Sequence, residues 1–168
     1  MQMWELVARE RIRDSLALYN WSGDAFRLGE MMQAFCDDGE LEIRGEEPLR
    51  GHAAIMGWLG GGTGGTAGAG GAGSTDEERR AARKAAVAGS GPRIVRHTIT
   101  NIRFVELTPE HARVGAYFTV FTDIGLDHYG RYRDTFVPVD DRWLIKHRFV
   151  STDWRADNSV MATPDMVR

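Results

Sequence analysis

The chain has 168 residues, 42% of them apolar and 27% charged, with a formal net charge of −3. That length suits one soluble domain with a substantial core, and the slight acidity argues against nucleic acid as the main partner, which usually selects a basic patch. No apolar run approaches the ~20 residues a membrane span needs, the early charges Glu5, Arg9, Glu10, Arg11 and Arg13 break any signal-peptide order, and a lone cysteine, Cys36, excludes an intrachain disulfide and fits a reducing cytoplasm.

In chain order, residues 3–19 place Leu6, Ile12, Leu16 and Tyr19 at near-helical spacing. Gly23 interrupts the pattern, and Asp24, a favoured residue for opening a helix, is predicted to start a second helix through Phe35. Its stripe is Leu28, Met31, Met32 and Phe35. Leu41 to Ile43 reads as a short strand and residues 53–59 as a brief helix. Residues 60–73, GGGTGGTAGAGGAG, have no side chain able to fill a core and read as a flexible insert within the single domain. Ser74 or Thr75 then caps a predicted helix over 77–87, which Gly89-Ser90-Gly91-Pro92 ends. From residue 93 the texture changes. Residues 93–106 alternate strongly and are rich in β-branched side chains, 111–122 follow with Val114, Tyr117, Phe118, Val120 and Phe121, and 128–139 and 142–154 complete a meander separated by turns. Helices first and a long antiparallel sheet last is the α+β pattern.

His97 lies in the strand-like run RHTITN, where alternation puts Ile99 and Asn101 on its face. A carboxylate holding an imidazole is the minimal general-base unit, which makes Asp24 its candidate partner. Tyr19, five residues before Asp24, is a candidate hydroxyl donor, and so is Tyr117. Asn101 is a candidate for orienting a substrate. Trp21, Phe121 and Tyr132 are candidate aromatic walls for a flat apolar ligand. His52, His111, His128 and His147 sit on separate segments without HxxxH or HxH spacing, so no metal site is expected. The glycine-rich stretch lacks GxxxxGK[ST], so no phosphate-binding loop is expected either.

The segments that carry the chemistry also carry a resemblance. Asp24 with the RLGEMMQAFCDDGELEI that follows it, His97 in HTITNIRF, and the late DRWLIKHRFVSTDW resemble the SnoaL-like branch of the nuclear transport factor 2-like superfamily, the branch of scytalone dehydratase and lindane dehydrochlorinase. The resemblance implies a cone-shaped, highly curved sheet covered by N-terminal helices. It also implies an Asp24–His97 dyad that abstracts a proton without a cofactor. The chain departs from scytalone dehydratase where Tyr117 stands for a second histidine and Gly23 for a tyrosine. It differs from the dehydrochlorinase near Tyr19, where that enzyme has a lysine.

The implied activity is dehydration or a related elimination on a small hydrophobic, cyclic substrate. Isomerisation or cyclisation by the same dyad is the alternative within catalysis. A non-catalytic ligand-binding or interaction module, or an accessory subunit of an oxygenase, is the alternative outside it. An exposed sheet face wants covering, so a homodimer or homotrimer is expected.

Overall fold

The computed structural model describes residues 1–60, 94–159 and 161. Beyond Gly60, the predicted glycine-rich insert and the predicted 77–87 helix lie outside the described residues.

The first helix, α1 (Met3–Asp24), buries Ala8, Ile12, Leu16 and Tyr19 along one side. It does not stop at Gly23. It ends one residue later, where the Phe26 N–H bonds the Gly23 carbonyl at 2.9 Å and the Arg27 N–H bonds the Ser22 carbonyl at 2.8 Å. This is the paired closure that usually places glycine in the left-handed position. Here Phe26 occupies it, with φ 55, and is held there by burial of its ring. Asp24 is therefore the last residue of a helix, not the first. The predicted second helix shrinks to α2 (Leu28–Met32), because Phe35 already belongs to strand β1 (Phe35–Ile43). The stripe Leu28, Met31, Met32 and Phe35 is still buried, but across a helix and a strand.

After β1 come β2 (Leu49–Arg50), α3 (Gly51–Gly60), β3 (Val95–Leu107), β4 (Ala112–Thr122), β5 (Gly125–Val139) and β6 (Arg142–Arg155). The strand order is β2-β1-β6-β5-β4-β3. All pairings are antiparallel except β1 with β6, so the sheet is mixed. Helix α1 packs against β3 and β6 and covers one face. On β4 that inner face is Ala112, Val114, Ala116, Phe118 and Val120, all buried, and Phe136 and Ile145 continue it on β5 and β6. Each of the valine, isoleucine and phenylalanine side chains so buried contributes roughly 1.5–3 kcal/mol.

Two bulges decide which side chains reach this face. Between the pairs Thr100–Tyr117 and Arg103–Gly115, Asn101 and Ile102 together oppose one residue of β4. Asn101 adopts φ 52, a conformation asparagine tolerates better than most residues. The alternation predicted through Asn101 breaks there. Asn101 is exposed, and Ile102 and Phe104 take over the helix-facing side. The second bulge places Asp127 as the extra residue between the Val120–His128 and Phe121–Leu126 pairs, so Asp127 and His128 are both buried although adjacent.

Candidate active site at the end of the first helix

Asp24 meets His97 twice. Its Oδ1 lies 2.6 Å from the imidazole Nδ1, and its Oδ2 accepts the His97 backbone N–H at 2.9 Å. The carboxylate acceptor fixes the proton on Nδ1, which leaves the lone pair on Nε2. Among the described residues Nε2 has no hydrogen-bond partner. The two side chains keep 21% and 11% of their surface exposed, so the pair sits at a rim rather than deep in the core. A carboxylate at a helix C-terminus opposes the helix dipole at a cost of about 0.3–1 kcal/mol. The contacts to His97 account for that placement, and the helix-opening role expected from sequence does not.

Register puts His97, Val120 and His128 in one row across β3, β4 and β5. His128 is oriented in the same way as His97. Its Nδ1 donates to Asp127 Oδ1 at 2.7 Å, and the buried Asp127 also accepts the Thr122 hydroxyl at 3.2 Å and the Ser159 hydroxyl at 2.6 Å. Burial pushes the His128 imidazole below the usual histidine range; Asp127 opposes this, and the nearby His97 adds to it. Sequence spacing dismissed His128 as a metal ligand and did not see it beside His97. The available signal was the Asp127-His128 dipeptide at the start of a strand.

Deeper on the same face, Phe118 meets His128 edge-on at 5.9 Å and stacks on Tyr132 at 4.6 Å. Arg148 is fully buried between two rings, 4.1 Å from the Tyr19 centroid and 4.2 Å from that of Tyr132. Asp134 takes both its Nε (2.9 Å) and its Nη2 (2.7 Å). Burial raises the phenol pKa of both tyrosines, well above the ordinary value for Tyr132, so both remain hydrogen-bond donors at neutral pH. Tyr132 lies on the inner face, buried in the core against Phe118, Tyr19 and Arg148. Tyr19 lies in the core against Phe35, Tyr132 and Arg148 instead of reaching His97.

Three other candidates stand elsewhere. Tyr117 and Phe121 have the opposite strand parity to Phe118 and Val120, so their side chains point to the outer face, 51% and 45% exposed. Trp21 projects from α1 into solvent, 75% exposed, because its helical angle turns it away from the sheet. With Asn101 at its bulge, these four do not share a face with the dyad.

The outer face has its own polar features. A cleft of about 620 Å³ is lined by Glu42, Arg113, Arg133, His147 and Phe149 among others, and by none of the predicted site residues. The parallel β1–β6 pairing gathers Glu40, Glu42 and His147, whose donor atoms lie within 4.8 Å of one another. Each has a partner already: Arg50 holds Glu40 at 2.7 Å, and His147 holds Glu42 at 2.9 Å.

Residues 4–149 match the SnoaL-like domain, and the chain belongs to that family. No curated protein matches it in sequence. Solved structures share its fold at low identity. A nuclear transport factor 2-like protein with a cystatin-like fold from Novosphingobium aromaticivorans is 19% identical, with TM-score 0.66 over 89% of this chain and 84% of that one. A candidate scytalone dehydratase from the same organism is 20% identical, with TM-score 0.64 over 91% and 89%. The hexachlorocyclohexane dehydrochlorinase LinA-type3 from Novosphingobium barchaimii is 13% identical, with TM-score 0.63 over 90% of both chains. These likenesses show a shared fold, and the family rests on the SnoaL-like match. Among the described residues no helix is long and apolar enough to cross a membrane.

Proposed function

We propose that the protein is a cofactor-independent lyase, of the dehydratase or elimination type, acting on a small hydrophobic, cyclic substrate. The observation that carries this reading is the 2.6 Å contact between Asp24 and His97 Nδ1, which leaves Nε2 available as a base. Nε2 takes a proton from a carbon made acidic by a neighbouring carbonyl or leaving group. The released electron pair forms the new double bond as the leaving group departs with its own bonding pair. Asp24 holds the ring orientation and balances the imidazolium that forms. Positioned proton transfer of this kind contributes roughly 10²–10⁴-fold.

An isomerase is the second reading, favoured by one observation. His128 presents another carboxylate-held imidazole in the same row, with burial keeping it uncharged. A second lone pair on that face suits moving a proton between two carbons without loss of a leaving group. The half-exposed Tyr117, Phe121, Tyr129 and Trp154 support the further proposal that the outer face is covered in a homodimer or homotrimer.

The test is a panel of cyclic β-hydroxy ketones, chlorinated cyclohexanes and β,γ-unsaturated ketones, read for water, chloride or a shifted double bond. The wild type turns over at least one class, and Asp24→Asn and His97→Gln lose roughly 100-fold or more. Equal turnover in the variants, or none in any protein, would count for a binding module on this fold.

A further inference from the structure

Asn20 is one helical turn before Asp24, and it is anomalous. The residue is 7% exposed, yet neither its Nδ2 nor its Oδ1 has a hydrogen-bond partner among the described residues. Because both amide atoms are unpartnered, an interchange of N and O in the side chain changes nothing. Leaving a buried amide unsatisfied is costly, and native proteins seldom do so without a ligand, water or functional reason.

Its position narrows the reason. Residues four apart share a helix face, about 6 Å apart along the axis. Along that face of α1, Arg9 and Arg13 stack on Phe104 of β3 at 4.3 and 5.7 Å, and Asp24 grips His97 of the same strand. Asn20 falls between these two contacts. Helical spacing and burial therefore turn it toward β3, between Phe104 and His97, and not toward solvent.

We propose that Asn20 is the hydrogen-bond donor for the substrate's oxygen, so that the substrate is a carbonyl compound whose α-carbon faces His97. This rests on the base assignment above and deepens it. His97 Nε2 removes the α-proton, and the C–H electron pair moves through the new C–C double bond onto the carbonyl oxygen. Asn20 Nδ2–H holds that enolate oxygen. The enolate then collapses, its electrons expel a β-hydroxyl, and the hydroxyl takes the proton from the imidazolium and leaves as water. No oxidant, metal or further reactant is needed. A chlorinated hydrocarbon has no oxygen to satisfy Asn20, which makes it the poorer substrate.

Two readouts on the full chain test this. The first is binding of 2-naphthol, whose phenol oxygen mimics an enolate, to the wild type and to Asn20→Leu. The second is the melting temperature of both proteins. Asn20→Leu binds 2-naphthol about tenfold or more weakly and melts at or above the wild type, because an unsatisfied buried amide has become a well-sized apolar side chain. A purely structural asparagine moves the other way, and a lower melting temperature overturns the proposal. So does equal binding, or no binding of 2-naphthol by the wild type. Asn20→Ala repeats the binding comparison with a smaller side chain, and binding equal to the wild type there also overturns the proposal. Normal 2-naphthol binding that depends on Asn20, in a wild type that turns over no substrate, overturns the lyase reading and leaves the oxygen site standing.

Discussion

Asp24 and His97 are joined through both carboxylate oxygens, one to the ring and one to the backbone N–H of the same residue. The second bond matters as much as the first. It ties the end of α1 to the start of β3, so the carboxylate that orients the ring is itself fixed against the strand. The pair is thus preorganised by the fold.

That linkage predicts the effect of Asp24→Asn. The amide can keep one bond but presents a donor or an acceptor in a fixed fork, and it cannot balance an imidazolium. Turnover of the substrate found in the panel should fall roughly 10²–10⁴-fold with the fold retained. Steady-state kinetics beside far-ultraviolet circular dichroism check this.

The dyad was legible because two short segments resemble a family in which such a pair recurs. Local geometry was less so. Asp24 reads as a helix-opening residue, and only the closure through Phe26 in a left-handed conformation shows that α1 runs past Gly23. Asn101 reads as a neighbour of His97 until a bulge turns it outward. Tyr117 and Phe121 share strand parity with Arg113 and Thr119, opposite to Val114, Phe118 and Val120, so the alternation already pointed them outward and their aromatic rings masked it. Asn20 and His128 were missed because each gains meaning only from what lies opposite. For Asn20 that is an absence of partners, and for His128 it is Asp127 on a bulge beside the row that contains His97.

His128 predicts how stability varies with pH. An imidazole in an unfolded chain titrates near 6.5, and burial holds this one lower in the fold. Between the two values the unfolded chain binds the extra proton, so stability is full above about 6.5 and is lost as pH falls through the folded value. The melting temperature should drop between pH 7.5 and 5, and His128→Gln should make that drop shallower in a thermal scan series.

Gly130 predicts a packing failure. A Cβ there would meet the Ser151 carbonyl oxygen at 2.0 Å, the Thr152 Cα at 2.8 Å and the Phe118 ring at 2.9 Å. Two of those atoms are backbone of the neighbouring strand and cannot give way. Gly130→Ala should cost about 3 kcal/mol, the upper end of ordinary overpacking, measured as a lower urea midpoint.

The Asp134–Arg148 pair is 1% and 0% exposed, so each charge depends on the other. Asp134→Ala leaves the guanidinium buried without its carboxylate and should destabilise by about 3–5 kcal/mol. Replacing both, as Asp134→Leu with Arg148→Met, should recover most of that loss. A double-mutant cycle in denaturant separates the two outcomes.

The central claim is that His97, held by Asp24, removes a proton from carbon. Its most direct measurement is deuterium uptake at the α-carbons of 2-indanone in D₂O, followed by proton NMR, with the wild type beside His97→Gln and Asp24→Asn. The account predicts exchange well above the buffer rate in the wild type and near the buffer rate in both variants. Exchange that persists in His97→Gln would contradict it.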